Sequence, residues 1–215
     1  MKQAALLLES PIPPLQDRSR RTVTALTRGA LRLLRSTEFE ALTIGEIVEA
    51  ANSSVGSFYA RFPSKEDFLF HLVESVLKED VVPGAQRQMA PERFIGEGVE
   101  PRMRAALDYV AQVFVRHRKI IRPLTLQMHT SADHRFKEAA RFFNEPLHDA
   151  FYALMAGAPE LATTADFRRK LDDVLLWSGA SLRQVFVLRD PPAEREAQQA
   201  VSRLARCMAN YLTLA

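Results

Sequence analysis

Five histidines and one cysteine are the first residues to test for chemistry in this 215-residue chain. His129 and His134 lie five apart, while His117 and His148 stand alone. None has the i, i+4 spacing that sets two imidazoles on one helix face, and none has a cysteine partner. No nucleophile sits beside an evident base. These residues predict no catalytic site, no metal and no cofactor. Cys207 reads as a small core or interface residue, with a redox-sensing thiol as the alternative. Phosphate chemistry has better candidates. The stretch RSRRTVTALTRGALRLLR holds Arg18, Arg20, Arg21, Arg28, Arg32 and Arg35 and no acid. Charge alone fits a solvated helix face as well as a phosphate site. The net charge of +3 does not decide between them. A second stretch, SSVGSFYARF, mixes small Ser53, Ser54, Gly56 and Ser57 with Phe58, Tyr59 and Phe62.

Helices must position these groups. Val23, Leu26, Ala30, Leu33 and Leu34 recur on one face of a first helix, with arginines on the others. Thr43 and Glu46 form a capping box that opens a second helix, whose stripe is Ile44, Ile47, Val48 and Ala51. Asn52 ends it, since asparagine tolerates the left-handed conformation. Ser54 caps a third helix from Val55 to about Arg61, and Pro63 stops it. Helix, tight turn and short helix make a helix-turn-helix, whose second helix enters the DNA major groove by its N-terminal end. Small residues there permit close approach, and helix N-termini offer free N–H groups to phosphate. Phe58 and Phe62, four apart, predict an anchor packed on the first helix. Tyr59 lies off that face with its hydroxyl free, and Lys65 opens the next helix, where Ser64 and Asp67 make another capping box.

Thr43, Ile47, Ala51, Ser54, Gly56, Tyr59, Phe62, Lys65 and Phe68 or Leu69 fall in step with a known pattern. The stretch resembles the DNA-binding domain of the TetR family of ligand-responsive transcription regulators. Asn52 and Ser53 stand where that family prefers Gly and Val, Val48 replaces the usual Ala, and Glu38 replaces a glycine that closes the first helix. The resemblance implies phosphate contacts from Thr43, Ser54, Tyr59 and Lys65, with Arg18, Arg20 and Arg21 of the first helix. It implies that Val55, Gly56, Ser57, Ala60 and Arg61 face bases. It also implies a palindromic double-stranded operator, a homodimer and a small hydrophobic or aromatic effector.

The rest of the chain reads as helices too, so the expected fold is all-α. A mobile arm (1–17) leads to a three-helix DNA-binding domain (18–65) and a larger helical ligand-binding and dimerisation domain (66–215). Pro83, Gly84, Pro91, Gly96, Gly98 and Pro101 predict a long loop over 81–100. A helix then runs from Pro101 to about His117. Pro123 and Pro146 should kink or split the two that follow. Thr163 and Asp166 suggest a weak capping box before two long helices. There Leu171, Val174, Leu175, Leu182, Phe186, Val201, Leu204 and Met208 make apolar stripes expected at a two-fold dimer interface, unless neighbouring helices of the same chain cover them. Phe114, Met128, Phe142, Phe143, Tyr152, Met155 and Trp177 are the candidate lining of a pocket, with His117 and His129 as polar contacts. No run of apolar residues is long enough for a membrane helix or a signal peptide core, so a cytoplasmic protein is expected. A helical interaction module without specific DNA binding is the rival reading.

Overall fold

The computed structural model describes residues 17–161 and 166–214; residues 1–16 of the predicted arm and Thr163 lie outside them, while Asp17 already opens a helix. The described residues contain helices and no strand. They fall into two units. The first holds residues up to Ser75 together with Lys119–Phe142, and the second holds Val76–Arg118 and the residues from Phe143 onward.

The first unit begins with α1 (Asp17–Leu33), which buries Leu26, Ala30 and, just past its end, Leu34. A 3₁₀ turn (Phe39–Ala41) leads to α2 (Ile44–Ala50), α3 (Val55–Tyr59) and α4 (Lys65–Val76). Gly29 is where α1 and α2 come together. A Cβ there would lie 3.1 Å from the Ala51 nitrogen and 3.2 Å from the Ala50 carbonyl carbon. Arg32 also donates to the Ala50 carbonyl. Two further helices contribute, α7 (Arg118–Thr130) and the start of α8 (Arg135–Ala156). Arg122 pairs with Glu40 at 3.6 Å and Lys119 with Glu38 at 3.9 Å. Arg135 donates to Asp67 at 2.7 Å, and Phe136 packs on Phe70 with ring centroids 5.0 Å apart. Pro123 and Pro146 both sit inside continuous helices, which they do not split.

The expected loop over 81–100 is mostly helical. The chain continues from α4 through a π-helical turn (Leu77–Val81) into α5 (Val82–Gln88), and a 3₁₀ turn (Pro91–Phe94) follows. Pro83 falls in the first turn of α5, directly after the π-helical turn. Gly84 is needed there because a Cβ would sit 2.4 Å from the Tyr109 hydroxyl. That phenol, buried and pushed up to about 12, donates to the Val81 carbonyl. The loop signals mark a tertiary contact, and residues 77–88 are helical throughout.

The second unit is built on α6 (Val99–Arg116), the later part of α8, α9 (Phe167–Arg183) with a π-helical turn (Gln184–Leu188), and α10 (Glu194–Thr213). Arg102, only 2% exposed, spans the carbonyls of Phe94, Glu97 and Leu154. Leu171, Val174, Leu182, Phe186 and Val201 are buried within this chain. The dimer expectation fails for these five, because neighbouring helices already cover them. Leu175, Leu204 and Met208 are half-buried. The apolar residues left exposed on α9 are Leu176 and Trp177, at 64% and 43%, with Ala180 beside them.

Candidate nucleic-acid interface and effector cavity

Each end of the helix-turn-helix is set by its own residues. The Thr43 hydroxyl accepts from the Glu46 amide at 3.2 Å and donates to the Glu46 carboxylate at 2.7 Å. The Thr43 amide donates to the same carboxylate at 2.8 Å. These bonds hold the Glu46 carboxyl below its ordinary range. A hydroxyl has one proton, so Thr43 has none left for a phosphate. Asn52 takes a positive φ of 48° and turns the chain, as expected of it. Ser54 then caps α3, accepting from the Ser57 amide at 3.1 Å.

The anchor of α3 is an aromatic cluster. Phe58 and Phe62 are 0% and 2% exposed. Both meet Phe68 on α4, at centroid distances of 5.2 and 4.9 Å. These ring contacts are with α4, not with the first helix as expected, and α4's His71 also faces Phe62 and meets the Thr27 hydroxyl of α1 at 2.9 Å.

The opposite face of α3 is open. Val55 and Tyr59 are 48% and 51% exposed, and Gly56 and Ala60 are exposed too. A Cβ built on Gly56 would meet nothing within 4 Å. Its φ is not positive either, so neither this chain's packing nor its backbone requires a glycine there.

Two expected DNA contacts are otherwise engaged. Arg61 folds back to donate to the Ser57 carbonyl at 2.7 Å, and its shielded Nε lacks a partner. Reading a base requires it to swing out. Lys65 donates to the Glu40 carbonyl at 3.0 Å and lies 4.9 Å over the Phe39 ring. Burial lowers its pKa, against the pull of Glu40, Glu66 and Glu46. It braces the turn before α2. Arg20 and Arg21 share a shallow groove on α1 with Thr24, Ala25 and Arg28. The side chain of Arg18 lies outside the described residues.

In the second unit a cavity of about 310 Å³ opens among α6, α8 and α9. Its apolar wall includes Leu107, Phe114, Phe151 and Leu182, and its polar groups are Asn144, His148, Asp172, Ser178 and Arg183. Of the nine expected pocket residues only Phe114 lines it. Met128, His129 and Phe142 belong to the first unit, and His129 is exposed. His117 turns to Asp80, its Nε2 2.8 Å from the carboxylate, and burial lowers its pKa. Phe143 and Met155 are core residues, Trp177 stacks edge-on with Tyr211, and Tyr152 donates to Asp172. Leu175 and Leu182, expected at a dimer interface, line the cavity. Sequence reasoning missed Asn144 and His148. Their i, i+4 spacing on a helix that also presents Leu147 and Phe151 was the available signal.

No helix among the described residues is long and apolar enough to cross a membrane, and no cluster of ligating side chains there could hold a metal ion. Residues 26–72 match the sequence family described as "Bacterial regulatory proteins, tetR family". No curated protein sequence matches the chain. Among solved structures, it is similar to the crystal structure of a TetR transcriptional regulator from Rhodococcus sp. RHA1. The TM-score is 0.54 at 15% identity, over 89% of this chain and 97% of that one. At that identity the likeness concerns the fold.

Proposed function

We propose that the chain, whose residues 26–72 match the tetR family of bacterial regulatory proteins, is a dimeric repressor released from a palindromic operator by a small effector. The observation that carries the DNA contact is the open face of α3. Gly56 has room for a side chain and no intramolecular need to lack one. A partner that must come within a methyl group's width explains it, and the major groove, about 12 Å wide, is such a partner. Tyr59 holds a phosphate beside it, and Val55 and Ala60 offer apolar contact to thymine methyls. The N–H groups at the start of α2, ahead of its first hydrogen-bonded turn, take the phosphate role expected of the Thr43 side chain. Arg20, Arg21 and Arg28 approach the backbone from α1.

The dimer forms through the exposed strip of α9 at Leu176, Trp177 and Ala180, and it presents two heads to half-sites about 34–36 Å apart or a multiple of this. An effector in the second-unit cavity favours a different head spacing and weakens DNA binding by its differential affinity for the two states. The test is retention of DNA from upstream of the protein's own coding region, at two salt concentrations. Specific binding that weakens steeply with salt is expected. Absence of retention on any DNA at low salt, without ligand, would instead support the interaction-module reading.

A further inference from the structure

The cavity of the second unit is apolar around most of its wall, yet it carries a cation without a counter-charge. Two ionised groups line it, Asp172 and Arg183 on α9. Asp172 accepts the Tyr152 phenol. The Arg183 side chain has no hydrogen bond or ion pair with any described residue. It is half-buried, and burial alone lowers its pKa, with no carboxylate acting to raise it. Eleven residues separate the two groups, about 16 Å along a helix, so Asp172 does not serve as its partner within α9.

The guanidinium has a seat. Gly179, one turn earlier, also lines the cavity, and the guanidinium lies along it, with Nη1 and Nη2 at the ordinary contact distances of 3.6 and 3.7 Å from where a Cβ would stand. Two more donors lie on the facing helix. Asn144 and His148 are i, i+4 neighbours on α8, and neither side chain has a partner among the described residues. Burial, then Arg183, lowers the pKa of His148 against the pull of Asp149, Asp172 and Glu145. All three are half-buried, so their donors face the cavity without being sealed from solvent. Planar bidentate pairing with a carboxylate is what a guanidinium satisfies best.

We propose that this cavity binds a compact organic carboxylate, with the carboxylate on Arg183, Asn144 and His148 donating to it, and an apolar body against Leu107, Phe114 and Phe151. At about 310 Å³ the cavity is at the small end of ligand sites. Alkyl and aryl acids of that size share the chemistry. The inference rests on the reading of the second unit as the effector-binding unit.

The experiment is calorimetric titration of the full chain with octanoate and 3-phenylpropanoate, and with their neutral amides. At least one acid should bind about tenfold or more tightly than its amide, and which acid does so distinguishes an alkyl from an aryl ligand. Arg183→Gln should remove that preference while amide binding, which also reports that the variant is folded, is retained. Arg183→Lys should restore part of it. Amides binding as tightly as acids would overturn the anion assignment and leave the cavity as an effector site. Undiminished acid preference in Arg183→Gln would overturn the assignment to Arg183. Binding of none of the four compounds would overturn the inference without touching the DNA reading, which is tested on the head.

Discussion

Helices α3 and α9 are both apolar on one side and both partly exposed, yet they are determined in different ways. Helix α3 has five residues, one capping serine, one positive-φ asparagine before it and two aromatic anchors. Among the described residues a Cβ on its exposed Gly56 would meet nothing within 4 Å, and the ring contact of its exposed Tyr59 is with the adjacent Phe58, so their types answer to something outside this chain. Helix α9 has seventeen residues and three sets of neighbours. Leu171, Val174 and Leu182 meet the core, Leu175, Gly179 and Arg183 the cavity, and Trp177 and Ala180 the surface. A short helix fixed at both ends leaves one face for function. A long one divides a continuous stripe among competing neighbours.

The comparison breaks most visibly at Phe58. Phe58→Ala empties the aromatic anchor and should cost about 3–5 kcal/mol. Denaturant unfolding of the head should shift accordingly, and DNA retention should vanish with it. If the head kept its stability, α3 would be held by its caps and not by its anchor.

The surface share of α9 is tested next. Ala180→Arg combined with Trp177→Arg places charge on the exposed strip without touching the core positions. The dimer should weaken on the order of a hundredfold, about 2.7 kcal/mol, by sedimentation against concentration. An unchanged dimer would return the interface to Leu204 and Met208 on α10.

A smaller effect distinguishes the second unit's interior. Burial lowers the pKa of His117 below its ordinary value of 6.5, although Asp80 pulls the other way, and Arg116 lowers it further. The unfolded chain therefore takes up this proton more readily as pH falls. The stabilisation is complete above 6.5 and is lost as pH falls through the folded value. Asp80 is also depressed, by Arg116 and His117 in spite of burial, so it adds a further loss at lower pH. Melting temperature should fall between about pH 7.5 and about pH 5, and His117→Gln should flatten the upper part of that slope.

What was legible in the sequence follows the same division. The capping box at Thr43, the turn at Asn52, the cap at Ser54 and the stop at Pro63 act within four residues of themselves, and each could be read directly. The loop assigned to 81–100 failed because Pro83 and Gly84 carry two meanings. They punctuate when alone, but here Gly84 admits the Tyr109 ring from a helix 25 positions away. The cavity residues failed for a related reason. Periodicity says that a face is apolar, and it does not say whether a helix, a ligand or a second copy covers it. Thr43 and Lys65 show a third limit, since the Thr43 hydroxyl gives its proton to Glu46 and Lys65 gives one of its three to the Glu40 carbonyl.

The central claim is that the open face of α3 is shaped by DNA, and Gly56→Ala tests it most directly. The substitution adds one methyl group where this chain has nothing within 4 Å. Paired measurements of melting temperature and of affinity for the upstream DNA should move in opposite directions. The head should gain up to about 0.5–1 kcal/mol from replacing a helical glycine. Affinity should fall about tenfold, some 1.4 kcal/mol, because the added methyl holds α3 away from the groove. A stabilised head that binds DNA as tightly as before would contradict the claim.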